Sequence, residues 1–324
     1  MRASFAKSAV LSAALLTVSA SMSFAQEWPS QPVKMMVGFG AGGGTDLVSR
    51  VIADGLGKQL NQSFVVENKP GAGGSIAGDM VAHGPKDGYT MLMLSPGHTV
   101  SAAVMKSVPY DPVKDFTTVG LVANSAIVIV ARKDFPGKGL QDLVAAAKKD
   151  PGKFNYGTVN TGSTQQLVAE WFRQMAGFQA QGVTFRTTPE VITSLLRGDV
   201  TYAVELAHAV RGQVESGELK VLAVTTPTRW PTLPDVPTAI EQGMPTFQAL
   251  GWYGLVYPAG VPQDVVTKTQ KALAQVLAQD VIKKQLSNAG AIPSLSTPEE
   301  FSKLISDEVV RWKKVATDAN IAPQ

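Results

Sequence analysis

Between residues 33 and 56 the chain reads VKMMVGFGAGGGTDLVSRVIADGL, with five glycines separating a short apolar run from an amphipathic one. Glycine lets a backbone approach a ligand closely, and the N–H groups that open a helix attract negative charge. Two kinds of chemistry use such a turn. Gly38, Gly40 and Gly43 spell G-x-G-x-x-G, which between a strand and a helix holds a dinucleotide pyrophosphate. The acid that would take the ribose, Glu67, follows Gly40 by 27 residues, later than the roughly 20 expected. On this alternative the protein is an exported NAD(P)-dependent oxidoreductase built on the GFGAGG loop. The simpler reading is an anion cradle. Main chain at Phe39, Ala41, Gly42 and Gly43 then faces a carboxylate, and Asp46 in the first helical turn organises the loop as a cap does.

The same pattern recurs. A second glycine cluster, with Gly71, Ala72 and Gly73, follows the second strand and opens onto a helix, and the third strand ends at Ser95. Parallel strands deliver their C-terminal loops to one edge, where open α/β sheets bind ligands. In the second half of the chain Thr158, Ser163 and Thr164 repeat the strand–loop–helix arrangement with hydroxyls. These hydroxyls either cap their helix alone or cap it and touch the ligand. A far-end site is expected at Glu205-Leu206-Ala207-His208-Ala209-Val210-Arg211. His208 and Arg211 share a helix face at a spacing of three. Facing the cleft, Arg211 would grip a second carboxylate bidentately, with His208 donating one hydrogen bond and Glu205 orienting both. Facing solvent, Arg211 would instead pair with Glu215 at i+4.

Other chemistries find little footing. The chain has no cysteine, so disulfides, thiolate metal sites, cysteine nucleophiles and a lipid-modified cysteine are excluded. His83, His98 and His208 stand apart in sequence, and the Ser95–His98 pair has no orienting acid. No nucleophile elbow, zinc-protease or P-loop motif is present. Catalytic residues, a metal and a cofactor are therefore not expected. A net charge of +3 without basic clusters gives no nucleic-acid surface.

The elements that must position these residues alternate between β-branched runs and helical patterns. Strands are expected at Val33–Val37, Phe64–Glu67, Tyr89–Leu94, Ala126–Ala131, Lys153–Tyr156, Val183–Phe185, Val200–Glu205 and Leu219–Thr225. Helices are expected near Asp46–Leu60, Ser75–His83, Leu140–Lys148, Thr164–Ala176, Pro189–Leu196 and Ala207–Ser216. From Pro262 two helices dominate, the second opening on the capping box Thr297-Pro298-Glu299-Glu300. This is an α/β pattern with mainly parallel sheets. Two proline-rich stretches, Pro109–Phe116 and Arg229–Phe247, read as crossings between lobes. The expected architecture is a two-lobed fold with a ligand cleft between the lobes: lobe 1 from residues 26–122 plus 249–324, and lobe 2 from 123–248. Residues 1–25 read as a signal peptide, with Arg2 and Lys7, an apolar stretch and Ser23-Phe24-Ala25 as the cleavage site; they predict export to the periplasm.

Several stretches are distributed along the chain in one order: WPSQPVKMMVGFGAGGGTDLVSRVIA, VVENKPGAGGSIAG, PKDGYTML, YGTVNTGSTQQLVAEWF, SGELKVLAVTTPTRWPTLPDVPTAIEQG and WYGLVYPAGVP. With them the chain resembles the periplasmic solute-binding proteins of tripartite tricarboxylate transporters, the Bug family. The resemblance implies a type II periplasmic binding fold that closes on a carboxylate-bearing solute and delivers it to membrane transporter subunits. It also implies that first-lobe main chain holds one carboxylate while the far end of the cleft sets specificity. Three positions depart from the family's usual pattern: Gly38-Phe39-Gly40-Ala41 in place of a proline-rich loop, Phe185-Arg186-Thr187 in place of a YKG-like element, and Glu205 where aspartate is more usual. With Phe39, Phe185 and Trp252 near the gap, a dicarboxylate, aromatic ones included, is the leading solute and a small aliphatic acid its competitor. The protein is expected to act as a monomer.

Overall fold

A computed structural model describes residues 27–159 and 162–323; the expected signal peptide at 1–25 lies outside them. The first lobe begins with β1 (Val33–Val37), α1 (Gly44–Leu60), β2 (Phe64–Asn68), α2 (Ser75–Ala82), β3 (Thr90–Leu94) and α3 (Gly97–Val104). The three strands are parallel, in the order β2-β1-β3. Each ends in one of the loops singled out by composition.

The chain then runs into β4 (Phe116–Arg132), a strand of 17 residues that serves both lobes. Its first part, Phe116–Ala126, lies antiparallel to β9 (Leu250–Pro258), which in turn pairs with β3. Beyond Ala126 it changes partners. Ile127–Ala131 pairs with β7 (Tyr202–Leu206), and Val128–Arg132 with β8 (Leu219–Val224). The second lobe also contains α4 (Leu140–Lys149), β5 (Asn155–Val159), α5 (Thr164–Ala176), β6 (Gln181–Phe185), α6 (Thr188–Arg197) and α7 (Arg211–Glu215).

The crossings are therefore the strands themselves, not the two proline-rich stretches. Pro109–Phe116 stays in the first lobe, where Tyr110 stacks on His98 at a ring separation of 5.5 Å and Phe116 packs edge-on against both. Arg229–Phe247 stays in the second, where Trp230 and Phe247 join its cores. The first half of β4 escaped the sequence reading because its register shifts between Thr118 and Gly120 and again between Leu121 and Ala123. Two such bulges break the two-residue period that marks a strand.

The C-terminal region holds three helices rather than two: α8 (Gln263–Ala278), α9 (Asp280–Asn288) and, after the short β10 (Ile292–Pro293), α10 (Pro298–Asp318). The capping box forms as expected. Thr297 Oγ1 accepts from Glu300 N–H at 3.1 Å, and Glu300 Oε2 accepts from Thr297 N–H at 2.9 Å. Helix α10 belongs to neither lobe alone, against its assignment to lobe 1. Phe301 and Ile305 pack with Leu92 and Trp252, while Trp312, Val315 and Ala316 enter the core containing Phe172 and Phe247. Its hydrophobic spacing shows one apolar face, but periodicity is silent on which core each end of that face meets.

His98 is a buried fastener rather than half of a catalytic pair. Its Nε2–H donates to the Pro112 carbonyl at 2.8 Å, and burial pulls the imidazole down to about 4. The unfolded chain, with an ordinary histidine near 6.5, binds this proton more readily. The stabilisation is therefore full above pH 6.5 and is lost as pH falls toward 4. Between pH 7.5 and pH 5 the wild type should lose about 2 kcal/mol more unfolding free energy than His98→Gln. Urea titrations at both pH values measure this; parallel losses in the two proteins would contradict it.

Candidate functional site

A cavity of about 380 Å³ lies between the lobes. The first lobe contributes Phe39, the start of α1 at Gly43–Thr45, and Ser95 with the start of α3. The second contributes Ile127 and Leu206 with Thr164 and Gln165 of α5 and Thr188 of α6, and Gly251–Tyr253 of β9 completes the wall. Four helices thus open onto one space. Neither α1 nor α3 has a side-chain cap, their N-caps being Gly43 and Pro96. In α5 and α6 the caps are Ser163 and Thr187, accepting from Gln166 and Glu190 N–H. Among the described residues, no lysine or arginine lines the cavity. Each helix start carries a partial positive charge, so an anion here is met by dipoles and N–H groups rather than by a counter-ion.

Asp46 explains how the glycine loop holds its shape. Its carboxylate, only 2% exposed, accepts from Gly42 N–H at 2.8 Å, from Arg50 Nε at 3.0 Å and from Asn68 Nδ2 at 3.0 Å. These partners hold its carboxyl below the usual range despite burial. Asn68 also donates to the Phe39 carbonyl at 2.9 Å. Asp46 thus organises the loop, and the Gly42 N–H is already taken. Gly42 itself has φ +80° with open space around a would-be Cβ, so a side chain there is opposed by backbone strain rather than bulk.

Phe39, Gly43, Ser95 and Thr164 come together as expected. Ala41 and Gly42 sit on the exposed side of the loop. Gly71, Ala72 and Gly73 do not reach the cavity: they buttress α3 from behind, where a Cβ on Gly97 would stand 2.7 Å from Gly73 O. Thr158 is fully buried against Ser163, their hydroxyls 3.2 Å apart. Phe185 borders a surface groove on the second lobe, not the cleft, whereas Trp252 is part of the cavity wall.

Of the two arrangements expected for Arg211, the solvent-facing pair with Glu215 is the one that forms, and the bidentate cleft contact is not. Residues 207–216 do not form one helix: Ala207–Val210 is a 3₁₀ turn and α7 begins only at Arg211. Arg211 is 64% exposed and its Nε donates to Glu215 Oε1 at 2.7 Å. With His208 it borders a separate cavity of about 250 Å³, closed on the first-lobe side by Ser287–Ile292. His208 is the more informative of the two. Its ring lies between the lobes, against Gly44 and Gly290, with Nδ1 buried and unpartnered and its imidazole pulled down by desolvation.

Glu205 is 1% exposed at the end of β7. Gln165 Nε2 and Thr188 Oγ1, both at the cavity wall, each donate to Oε2 at 3.4 Å, and Oε1 has no partner. Burial pushes the carboxyl up to about 7, against the hydrogen bonds of Gln165, Thr188 and the Leu206 N–H. Thr45, Gln165 and Thr188 were missed from sequence. All three lie within two residues of a helix N-cap, and that position was the available signal.

Two α/β lobes joined by long crossing strands, with helix starts converging on the cleft between them, define a solute-binding protein of the periplasmic type. Residues 48–321 match the tripartite tricarboxylate transporter family receptor, and the chain belongs to that family of periplasmic solute receptors. It is similar to protein BugT of Bordetella pertussis, 31% identical over 296 residues that cover 91% of each chain. Among solved structures it is similar to an R. palustris protein with adipate, at 34% identity and a TM-score of 0.79, covering 92% of this chain and 100% of that one. It is also similar to MatC from Rhodopseudomonas palustris with bound malate, at 31% identity and a TM-score of 0.74, covering 89% of this chain and 99% of that one.

Proposed function

We propose that this protein is an exported, non-enzymatic receptor that captures an organic acid between its lobes, holds it by one carboxylate, and hands it to the membrane subunits of a tripartite tricarboxylate transporter. The observation that carries this reading is the meeting of four helix starts on a cavity without a lysine or arginine. Such a site neutralises a small anion without trapping it in a strong ion pair, which suits capture and release. The adipate and malate held by two relatives fit the same chemistry. The leader-like residues 1–25 support export, and the receptor acts as a monomer.

The oxidoreductase reading loses its ribose contact. Glu67 is drawn to Lys34 at 3.5 Å and Lys69 at 4.0 Å, and the Gly42 N–H is bonded to Asp46 rather than free for a pyrophosphate. A thermal-shift panel of organic acids beside NAD and NADP separates the two. At a hundredfold excess over Kd a true ligand adds about 2.7 kcal/mol of stability. Stabilisation by acids and not by nucleotides is expected; stabilisation by nucleotides alone would overturn the receptor reading.

A further inference from the structure

A buried carboxyl group, Glu205, lies directly behind the cavity wall at Gln165 and Thr188. Behind Gln165 and Thr188, Glu205 keeps one oxygen buried and unpartnered, and its two side-chain bonds, at 3.4 Å, are at the outer limit for hydrogen bonds. Weak bonds of this kind are readily exchanged for a better partner. With Arg211 turned to solvent and paired to Glu215, no guanidinium lines this cavity among the described residues. Two carboxylates facing each other in so dry a place cannot both be ionised.

We propose that Glu205 receives the far carboxylate of a dicarboxylate solute by sharing one proton with it, so that capture of a diacid takes a proton up from solution. This rests on the carboxylate reading above and assigns the other end of the same site. The near carboxylate is held by the starts of α1 and α3; the far one passes between Gln165 and Thr188 and accepts the Glu205 O–H, giving the unpartnered oxygen its bond.

Glu205 has no charged side chain against it among the described residues. Facing it are Gln165 from α5, Thr188 from α6 and Val128 from β4. Glu190, in the first turn of α6, is exposed and accepts from Arg186 N–H. His208, on the turn that follows, is directed toward Gly44 and Gly290. No charged neighbour contributes to the Glu205 shift. Burial pushes the carboxyl up to about 7, and a second carboxylate beside it would raise its hold on the proton further.

Calorimetry in buffers of different ionisation enthalpy counts the protons. Adipate and succinate would be compared with hexanoate and butyrate on wild type and Glu205→Gln, at pH 6 and pH 8.5. For whichever diacid binds, uptake should be about one proton at pH 8.5 and close to none at pH 6, with affinity falling about tenfold per pH unit above 7. The monoacids should exchange little. Glu205→Gln, whose amide N–H replaces the acid proton, should abolish the uptake and bind the diacid more tightly than wild type at pH 8.5. Diacid binding without proton uptake at pH 8.5, or binding of monoacids alone, would overturn this inference and leave the carboxylate reading standing. Binding of no acid at either pH would defeat both. If Glu205→Gln fails to fold, the wild-type proton count decides by itself.

Discussion

Gly290→Ala should weaken solute binding by tenfold or more and cost about 2 to 5 kcal/mol of the closed arrangement. The sum combines left-handed strain on a side chain with overpacking against a neighbour that cannot rotate away. Gly290 has φ +75°, and a Cβ there would stand 2.3 Å from His208 Cβ and 2.6 Å from Cγ. Those atoms are near the His208 main chain, so relief requires the 3₁₀ turn of the second lobe to back away from the α9–β10 loop of the first. The Gly290 carbonyl is itself held by Ser125 Oγ at 3.0 Å, which limits movement from the other side. The lobes should then fail to approach, although each keeps its own core. A double-mutant cycle with His208→Ala separates the two causes: removing the ring should recover much of the binding while leaving the backbone strain. Titration calorimetry on the four proteins is the measurement. Additive effects, or wild-type affinity in Gly290→Ala, would show that the lobes do not meet at this point when solute binds.

The second large effect is expected at Glu308. This carboxyl is 2% exposed on α10, where its Oε2 accepts from Trp252 Nε1 at 3.0 Å and lies 2.8 Å from the Thr99 hydroxyl. Burial raises its pKa, opposed by those bonds and by Arg311. Glu308→Ala strands the indole N–H in the core and empties the space beside it, while the Thr99 hydroxyl keeps the Pro96 carbonyl, 2.9 Å away, as an acceptor. One unsatisfied N–H at about 1 to 3 kcal/mol, with about 1 kcal/mol for the cavity, places the total near 2 to 4 kcal/mol. Because Trp252 also forms part of the cleft wall, affinity for the acid should fall together with stability. Glu308→Gln keeps an acceptor for the indole and should lose less than half as much. Urea denaturation followed by tryptophan fluorescence reads the stability; an alanine variant as stable as the glutamine one would remove Glu308 from this role.

The chain's order of strands and helices, the two-lobed class and the edge on which ligand-facing loops gather follow from local rules that act within a few residues. Val33–Val37 and Thr164–Ala176 have the limits expected of them, because a β-branched run and a capped amphipathic face each carry their own period. Asp46 was legible as a loop organiser for the same reason: a carboxylate in a first turn serves the backbone next to it. Non-local pairing decided the rest. The single strand β4 binds both lobes because β9 and β7 are delivered to its two halves from far along the chain, and its bulges erase the alternation a reader would look for. Helix α10 joins two cores because its length spans them, which no periodicity states. Arg211 pairs with Glu215 in solvent where a 3₁₀ turn, not a continuing helix, follows β7, and Glu205 is buried because it still belongs to β7, behind Gln165 and Thr188. A tighter turn changes which side chain points where, and burial then turns an ordinary carboxyl into one that holds its proton near neutral pH. The sequence by itself determined that glycine loops and helix starts gather at strand ends; only the tertiary structure decided that Glu205 is buried behind the cleft wall while Arg211 pairs with Glu215 in solvent.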